Sequence, residues 1–114
     1  MSKKRGDKDY IGDIKDAIDK IRRHTKGYTF EKFVGDDKTQ DAVIRNLEVI
    51  GESIKNISAT LKNKHPDFPW KDMAGLRDKL IHHYFGINFE IVWQVVTEEL
   101  PGFASKIGKI LGNK

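Results

Sequence analysis

A short segment near the middle of the chain carries most of the side chains that could move protons or bind phosphate. It contains Arg77, Asp78, His82, His83 and Tyr84 within eight positions. Histidine titrates near neutral pH and can exchange a proton, whereas arginine offers a permanently charged planar fork that matches two phosphate oxygens. The pair supplies the minimum chemistry for metal-independent RNA cleavage, in which the 2′-hydroxyl of the substrate is the nucleophile.

Helical geometry decides which of these side chains could act together. Each residue advances about 100°, so Arg77 and Tyr84 lie within about 20° of each other, whereas Arg77 and His82 lie about 140° apart. Asp78 and His82 are at i and i+4 and face each other, so the carboxylate could orient the imidazole ring. The same residues also suit a solvated helix face with a histidine complementing the helix dipole. Spacing alone leaves both interpretations open.

Composition limits the other kinds of chemistry. The 114 residues are enough for one domain over positions 1–114, with a flexible basic tail expected at residues 1–8. The absence of cysteine excludes disulfides and thiolate chemistry and favours a reducing compartment, the cytoplasm. His82 and His83 are adjacent and point about 100° apart, so they cannot chelate one ion from a regular helix. We therefore expect no metal and no cofactor.

The charge pattern permits a nucleic-acid partner without requiring one. The net charge is +4, and the 21 basic residues are interspersed with 17 acidic ones. Lys3, Lys4 and Arg5 could contact phosphate, although such a terminal triplet also suits a solvated end. No apolar stretch follows this basic start, so neither a signal peptide nor a membrane anchor is expected.

Apolar residues recur at steps of three and four in two long segments, which predicts two amphipathic helices. The first covers residues 9–25, and the second runs from Val43 to Leu61 as the longest helix. Asp37 or Thr39 can cap the start of the second helix, and Pro66 is expected to end the helical segment. An aromatic connector between the helices, residues 28–34, could form one helical turn.

Two further helices are predicted in the second half of the chain. The third, residues 71–85, carries the arginine–histidine–tyrosine segment and ends at Gly86. Asn88 is expected to be the N-cap of the fourth, which Pro101-Gly102 should kink or split. Since no segment has the period-two pattern of a strand, the predicted fold is an all-α, up-and-down four-helix bundle. The second helix could also offer a surface to a partner helix.

Residues 77–84 resemble the Arg-x4-His-x-Tyr signature of the HepT-like toxins, a branch of the HEPN superfamily of small α-helical ribonucleases. Separate blocks agree with the same family in order: residues 45–52, Trp70, residues 74–76, 84–87 and 90–93. The resemblance extends from about residue 10 to residue 111. It implies a HEPN-type bundle that forms a homodimer, with Arg77 and His82 as the catalytic residues in a shared cleft. In such a cleft the two side chains need not converge on one helix stripe.

The resemblance also implies a partner and a mode of regulation. Such toxins are typically encoded beside a minimal nucleotidyltransferase antitoxin, which transfers AMP to the motif tyrosine, here Tyr84. Asp78 matches the preference for a polar residue after the arginine and is expected to support the site, whereas His83 occupies a variable position. Two alternatives remain: a non-enzymatic module that docks the nucleotidyltransferase or binds a nucleotide through Arg77, and a structural helical dimer without a ligand.

Overall fold

The structure, a computed structural model, describes residues 5–76, 78 and 88–112, and this part of the chain is helical without strands. The helices follow one another through short turns. They are α1 (Asp7–Thr25), α2 (Phe30–Val34), α3 (Asp37–Lys55), α4 (Ala59–Lys64), α5 (Trp70–Ala74), α6 (Phe89–Gln94), a π-helix (Val95–Glu99) and α7 (Leu100–Gly112). The prediction of an all-α helical bundle is confirmed. The dimer stays a prediction.

The centre of the fold is the contact between α1 and α3. The last helix, α7, packs against α1, and α5 packs against α3. The apolar stripe of α1 is buried almost completely, and so is that of α3. The buried residues are Ile11, Ile14, Ala17, Ile18 and Ile21 on α1, and Val43, Leu47, Ile50 and Ile54 on α3. Burial of these stripes is the main stabilising term for helices of this length. The first helix is confirmed, and it begins at Asp7, two residues earlier than predicted.

The predicted continuous helix from Val43 to Leu61 is wrong, because α3 ends at Lys55 and α4 starts after Ser58. The carboxylate of Asp7 accepts hydrogen bonds from the Ser58 backbone N–H at 2.8 Å and from its hydroxyl at 2.6 Å. The Ser58 hydroxyl oxygen in turn accepts a bond from the N–H of Leu61 at 3.1 Å. These bonds replace those of a continuing helix, while Ile57 and Leu61 still pack on the core.

The start of α3 is also different from the prediction. Asp36 is the N-cap, and its carboxylate accepts a hydrogen bond from the Thr39 backbone N–H at 3.1 Å. Neither Asp37 nor Thr39 is the N-cap, because both residues lie inside the first turn of α3.

The predicted third helix is interrupted near its start. After α5, Gly75 forms a turn in which its N–H binds the carbonyl oxygen of Lys71 at 3.1 Å, and Leu76 and Asp78 are again helical. The rest of the predicted helix lies outside the described residues. A helix interior disfavours glycine by about 1 kcal/mol relative to alanine, which makes Gly75 a natural point of interruption.

The fourth helix begins as predicted. The side chain of Asn88 accepts hydrogen bonds from the N–H groups of Glu90 at 3.0 Å and Ile91 at 3.2 Å. The predicted kink or split at Pro101-Gly102 is wrong in position, because the irregularity is the π-helix that precedes them. There the N–H of Leu100 binds the carbonyl oxygen of Val95. Pro101 has no N–H and its ring would crowd the preceding turn, and the wider π turn accommodates it without ending the helix.

Candidate functional site

The described structure fixes the helix that leads into the arginine–histidine–tyrosine segment. Met73 and Leu76, four residues and one residue before Arg77, are both buried in the core. Asp78 is helical and exposed. Arg77, His82 and Tyr84, together with His83, lie outside the described residues. The structure therefore places Asp78 at the surface, and its pairing with His82 stays a prediction.

A close contact between α3 and α5 sets the position of α5, the helix that precedes Arg77 in the sequence. A side-chain carbon added at Gly51 would lie 3.5 Å from the carbonyl oxygen of Ala74 and 3.6 Å from that of Met73. Both distances are ordinary van der Waals contacts, so the backbone of α5 packs closely against α3 at this point, three residues before Arg77 in the sequence. Gly51 is buried on α3, so this helix sets the position of α5.

Aromatic side chains hold the other end of α5. The ring of Phe68 is 4.3 Å from that of Trp70 and 6.2 Å from that of Phe103 on α7, measured between centroids. The indole N–H of Trp70 donates a hydrogen bond to the carbonyl oxygen of His65 at 2.9 Å. The connection before α5 is thus packed and hydrogen-bonded.

A cleft lined by residues that shortly precede Arg77 in the sequence was not predicted from the sequence. It has a volume of about 410 Å³ and lies between α5 and the π-helix, lined by Lys71, Asp72, Gly75 and Glu99. Lys71 is exposed and offers an ammonium group that could contact a phosphate. Glu99 is half-buried. One side of the cleft is the π-helix, a feature that is often found near functional sites.

The family-like segment on α3 contributes a mixed surface. Glu48 is half-buried and Glu52 is exposed, as is Arg45. Arg45 lines a separate groove between α1 and α3 with Asp13, Asp16 and Lys20. Because acidic and basic groups alternate there, this groove has no strong preference for one sign of ligand charge.

The clearest electrostatic perturbation belongs to a helix cap. Hydrogen bonds from the hydroxyls of Tyr28 at 2.6 Å and Thr39 at 2.8 Å, and from the Thr39 N–H, lower the pKa of Asp36 to about 2. Each of these donors stabilises the charged carboxylate. Asp36 therefore stays ionised at neutral pH and serves as the anchor of α3 instead of exchanging protons.

Within residues 5–76, 78 and 88–112, no three histidine, aspartate or glutamate side chains come together as a group that could hold a metal ion. Nor is any helix in that part of the chain long and apolar enough to cross a membrane.

The described part of the chain is an all-helical domain, and the Arg-x4-His-x-Tyr segment follows α5 in the sequence. The model of the family described as Ribonuclease HepT-like matches residues 14–110, and the chain belongs to that family. The match includes the whole of the segment from Arg77 to Tyr84.

Individual relatives agree with the family assignment. The chain is 49% identical over 107 residues to the "Probable ribonuclease HepT" of Thermococcus cleftensis, with 94% of this chain and 97% of that protein covered. It is 52% identical over 103 residues to the "Putative RNase MJ0127" of Methanocaldococcus jannaschii, covering 90% of this chain and 82% of that protein. No solved structure matches the chain.

Proposed function

We propose that the protein is a metal-independent endoribonuclease, the toxin of a toxin–antitoxin pair, and that it acts on RNA in the cytoplasm. The observation that carries the proposal is the match to the Ribonuclease HepT-like family over residues 14–110, which spans Arg77, His82 and Tyr84. Proteins related to this chain along nearly their whole length bear ribonuclease names. The residue types in the segment suit the reaction.

The proposed reaction is an internal transesterification. The 2′-oxygen of the RNA attacks the adjacent phosphorus, the new O–P bond forms, and the bond from phosphorus to the 5′-oxygen breaks. His82 takes the proton of the 2′-hydroxyl, and the leaving 5′-oxygen receives a proton from an imidazolium or from water. Arg77 stabilises the extra negative charge on the phosphoryl oxygens, which is greatest in the transition state. Asp78 supports the site by orienting the His82 ring.

The site is proposed to be complete only in a homodimer. Arg77 and His82 lie about 140° apart on an ideal helix, so one helix does not direct both side chains at the same phosphate. Two copies of the segment that face each other across a shared cleft remove this difficulty. Each substrate phosphate could then meet an arginine and a histidine from different protomers.

Regulation is proposed to act through Tyr84. A minimal nucleotidyltransferase antitoxin would transfer AMP from ATP to this side chain. The bond from the Tyr84 oxygen to the α-phosphorus forms, the bond to the β-phosphate breaks, and pyrophosphate leaves. On an ideal helix Tyr84 and Arg77 would lie within about 20° of each other, on one stripe. The added anionic phosphate would therefore pair with the arginine and occupy the place of the substrate phosphate.

The proposal is tested by measuring RNA cleavage in the presence of EDTA. His82→Ala and Arg77→Ala should each lower the cleavage rate by about 100-fold or more, the usual range for a lost general acid–base group or charge stabiliser. His83→Ala is the matched control, since it removes the adjacent histidine at a variable position and should leave the rate within a few-fold. Circular dichroism spectra should be the same for all four proteins.

Cleavage that requires added divalent cations, or that persists in His82→Ala, would contradict the proposed chemistry. Mass spectrometry of the protein co-expressed with its nucleotidyltransferase tests the regulation. An added AMP should appear on the wild type and be missing from Tyr84→Phe. A stable complex without cleavage and without AMP transfer would instead favour the docking function.

A further inference from the structure

A basic pocket lies where the loop after α4 meets α7. Its volume is about 180 Å³, and it is lined by His65, Asp67, Phe68, Lys106, Lys109 and Ile110. Neither the sequence motif nor the proposed reaction uses any of these residues. The pocket combines two lysine ammonium groups, a histidine and the buried aromatic ring of Phe68.

Hydrogen bonds hold the loop side of this pocket in place. The N–H of Phe68 binds the carbonyl oxygen of His65 at 3.1 Å, and the same oxygen accepts the indole N–H of Trp70 at 2.9 Å. The ammonium group of Lys106 donates a hydrogen bond to the backbone oxygen of Asp67 at 3.0 Å. The pocket is therefore shaped before any ligand binds, which lowers the entropic cost of binding.

The positive charges of the pocket are not cancelled by ion pairs. The ion pairs formed among the described residues are Arg5–Asp13 and Lys15–Asp19, and neither includes Lys106 or Lys109. The partner of Lys106 is a backbone carbonyl, which carries no formal charge. Asp67 contributes one carboxylate to the lining, so the two lysines leave a net positive pocket even with His65 neutral.

The pocket is also connected to the candidate site along the chain. The loop that forms one wall leads directly into α5, a helix of five residues that extends about 7.5 Å. Lys71 on this helix lines the cleft that contains Gly75, two residues before Arg77. Lys106 and Lys109 thus line the pocket, Lys71 lines the cleft, and Arg77 follows Lys71 by six residues in the sequence.

We propose that the pocket formed by His65, Lys106 and Lys109 is a phosphodiester-binding subsite that holds the RNA backbone outside the catalytic cleft. The inference rests on the proposed ribonuclease function. In this arrangement the lysines contact phosphates without reading bases, so they add affinity and orient the strand but do not select a sequence.

The test measures binding rather than cleavage. A fluorescently labelled oligo-dT strand lacks the 2′-hydroxyl and cannot be cut by the proposed chemistry, so its anisotropy reports affinity over a range of salt concentrations. The plot of log affinity against log salt should lose about 0.7 in slope for each phosphate contact removed from a single strand. The double variant Lys106→Gln with Lys109→Gln should therefore be about 1.4 shallower than the wild type.

Two further variants make the result specific. Lys26→Gln removes an exposed lysine that follows the far end of α1, about 28 Å from Asp7 along that helix, and should leave the slope unchanged. Lys106→Arg with Lys109→Arg keeps both charges and should keep the wild-type slope. Thermal unfolding of each variant shows whether the loop remains folded, and Lys109→Gln alone leaves the Lys106–Asp67 bond intact.

An unchanged slope in the folded double variant would overturn the proposal. The proposal would also fail if the double variant lost binding to inorganic phosphate, measured by calorimetry at constant ionic strength, but kept the wild-type oligo-dT slope. The pocket would then hold only small anions. The ribonuclease proposal fails separately. If RNA remains uncut but the slope still depends on these lysines, the subsite stands while the catalytic function is lost.

Discussion

The α1–α3 pair and the helices from α5 onward differ in how regular they are. Each helix of the pair has 19 uninterrupted residues. Beyond the pair, α5 has only five residues, Gly75 forms a turn, and the chain passes through a π-helix between Val95 and Glu99. Both regions contribute buried residues to one core, but the irregular region leads in the sequence to and from the segment that carries Arg77 and His82. Regular helices and the candidate chemistry thus lie in different parts of one small fold.

The contact between α1 and α3 consists mainly of isoleucine, leucine and valine side chains. Aromatic side chains join shorter elements outside that pair, as Phe33 of α2 does with Phe89 and Trp93 of α6 at centroid distances of 6.0 and 5.1 Å. Large rings can connect helices that are too short to build a continuous stripe.

The largest effect on stability is expected in the regular region. Leu47 is fully buried, so Leu47→Ala should lower the free energy of unfolding by about 2–5 kcal/mol through lost burial and a cavity. The matched control is Leu111→Ala on α7, the same chemical change at a half-buried position, which should cost less. Urea denaturation at a fixed protein concentration measures both values. Equal losses would mean that the degree of burial does not set the cost of the substitution.

A smaller effect is expected where the two regions touch. Gly51→Val adds methyl groups beyond a carbon already 3.5 Å from the Ala74 oxygen, so it should cost about 1–3 kcal/mol and displace α5. RNA cleavage should fall further than stability predicts, because α5 leads into the motif. Gly51→Ala is the control: its added carbon makes an ordinary contact, and alanine favours the helix by about 1 kcal/mol. A valine variant as active as the alanine variant would show that the contact does not position the site.

The smallest effect concerns pH and the start of α3. The pKa of Asp36 is lowered from 3.8 to about 2 in the folded protein, so its stabilising contribution is present above about pH 4 and is lost as the pH falls toward 2. Asp36→Asn should reduce the decline in melting temperature over that interval. Asp37→Asn is the control, since the hydroxyls of Tyr28 and Thr39 bind Asp36. The idea fails if both variants have the same acid profile as the wild type.

Several features follow from sequence alone because they depend on neighbouring residues. The three-to-four spacing predicts α1 and the buried face of α3, since a helix repeats every 3.6 residues. The N-cap at Asn88 is equally local, because its acceptor reaches the N–H groups of the next few residues. The Arg-x4-His-x-Tyr pattern points to the family, and the family match confirms that membership.

Other features depend on partners far away in the sequence, and only the tertiary structure decides them. The break between α3 and α4 involves Ser58 and Asp7, which are 51 residues apart. The basic pocket joins Lys106 to Asp67 across 39 residues. In both cases the apolar pattern is compatible with more than one backbone path, and a distant hydrogen bond stabilises one of them. Periodicity reports which side of a helix is buried, whereas packing determines where that helix ends and which charged groups meet.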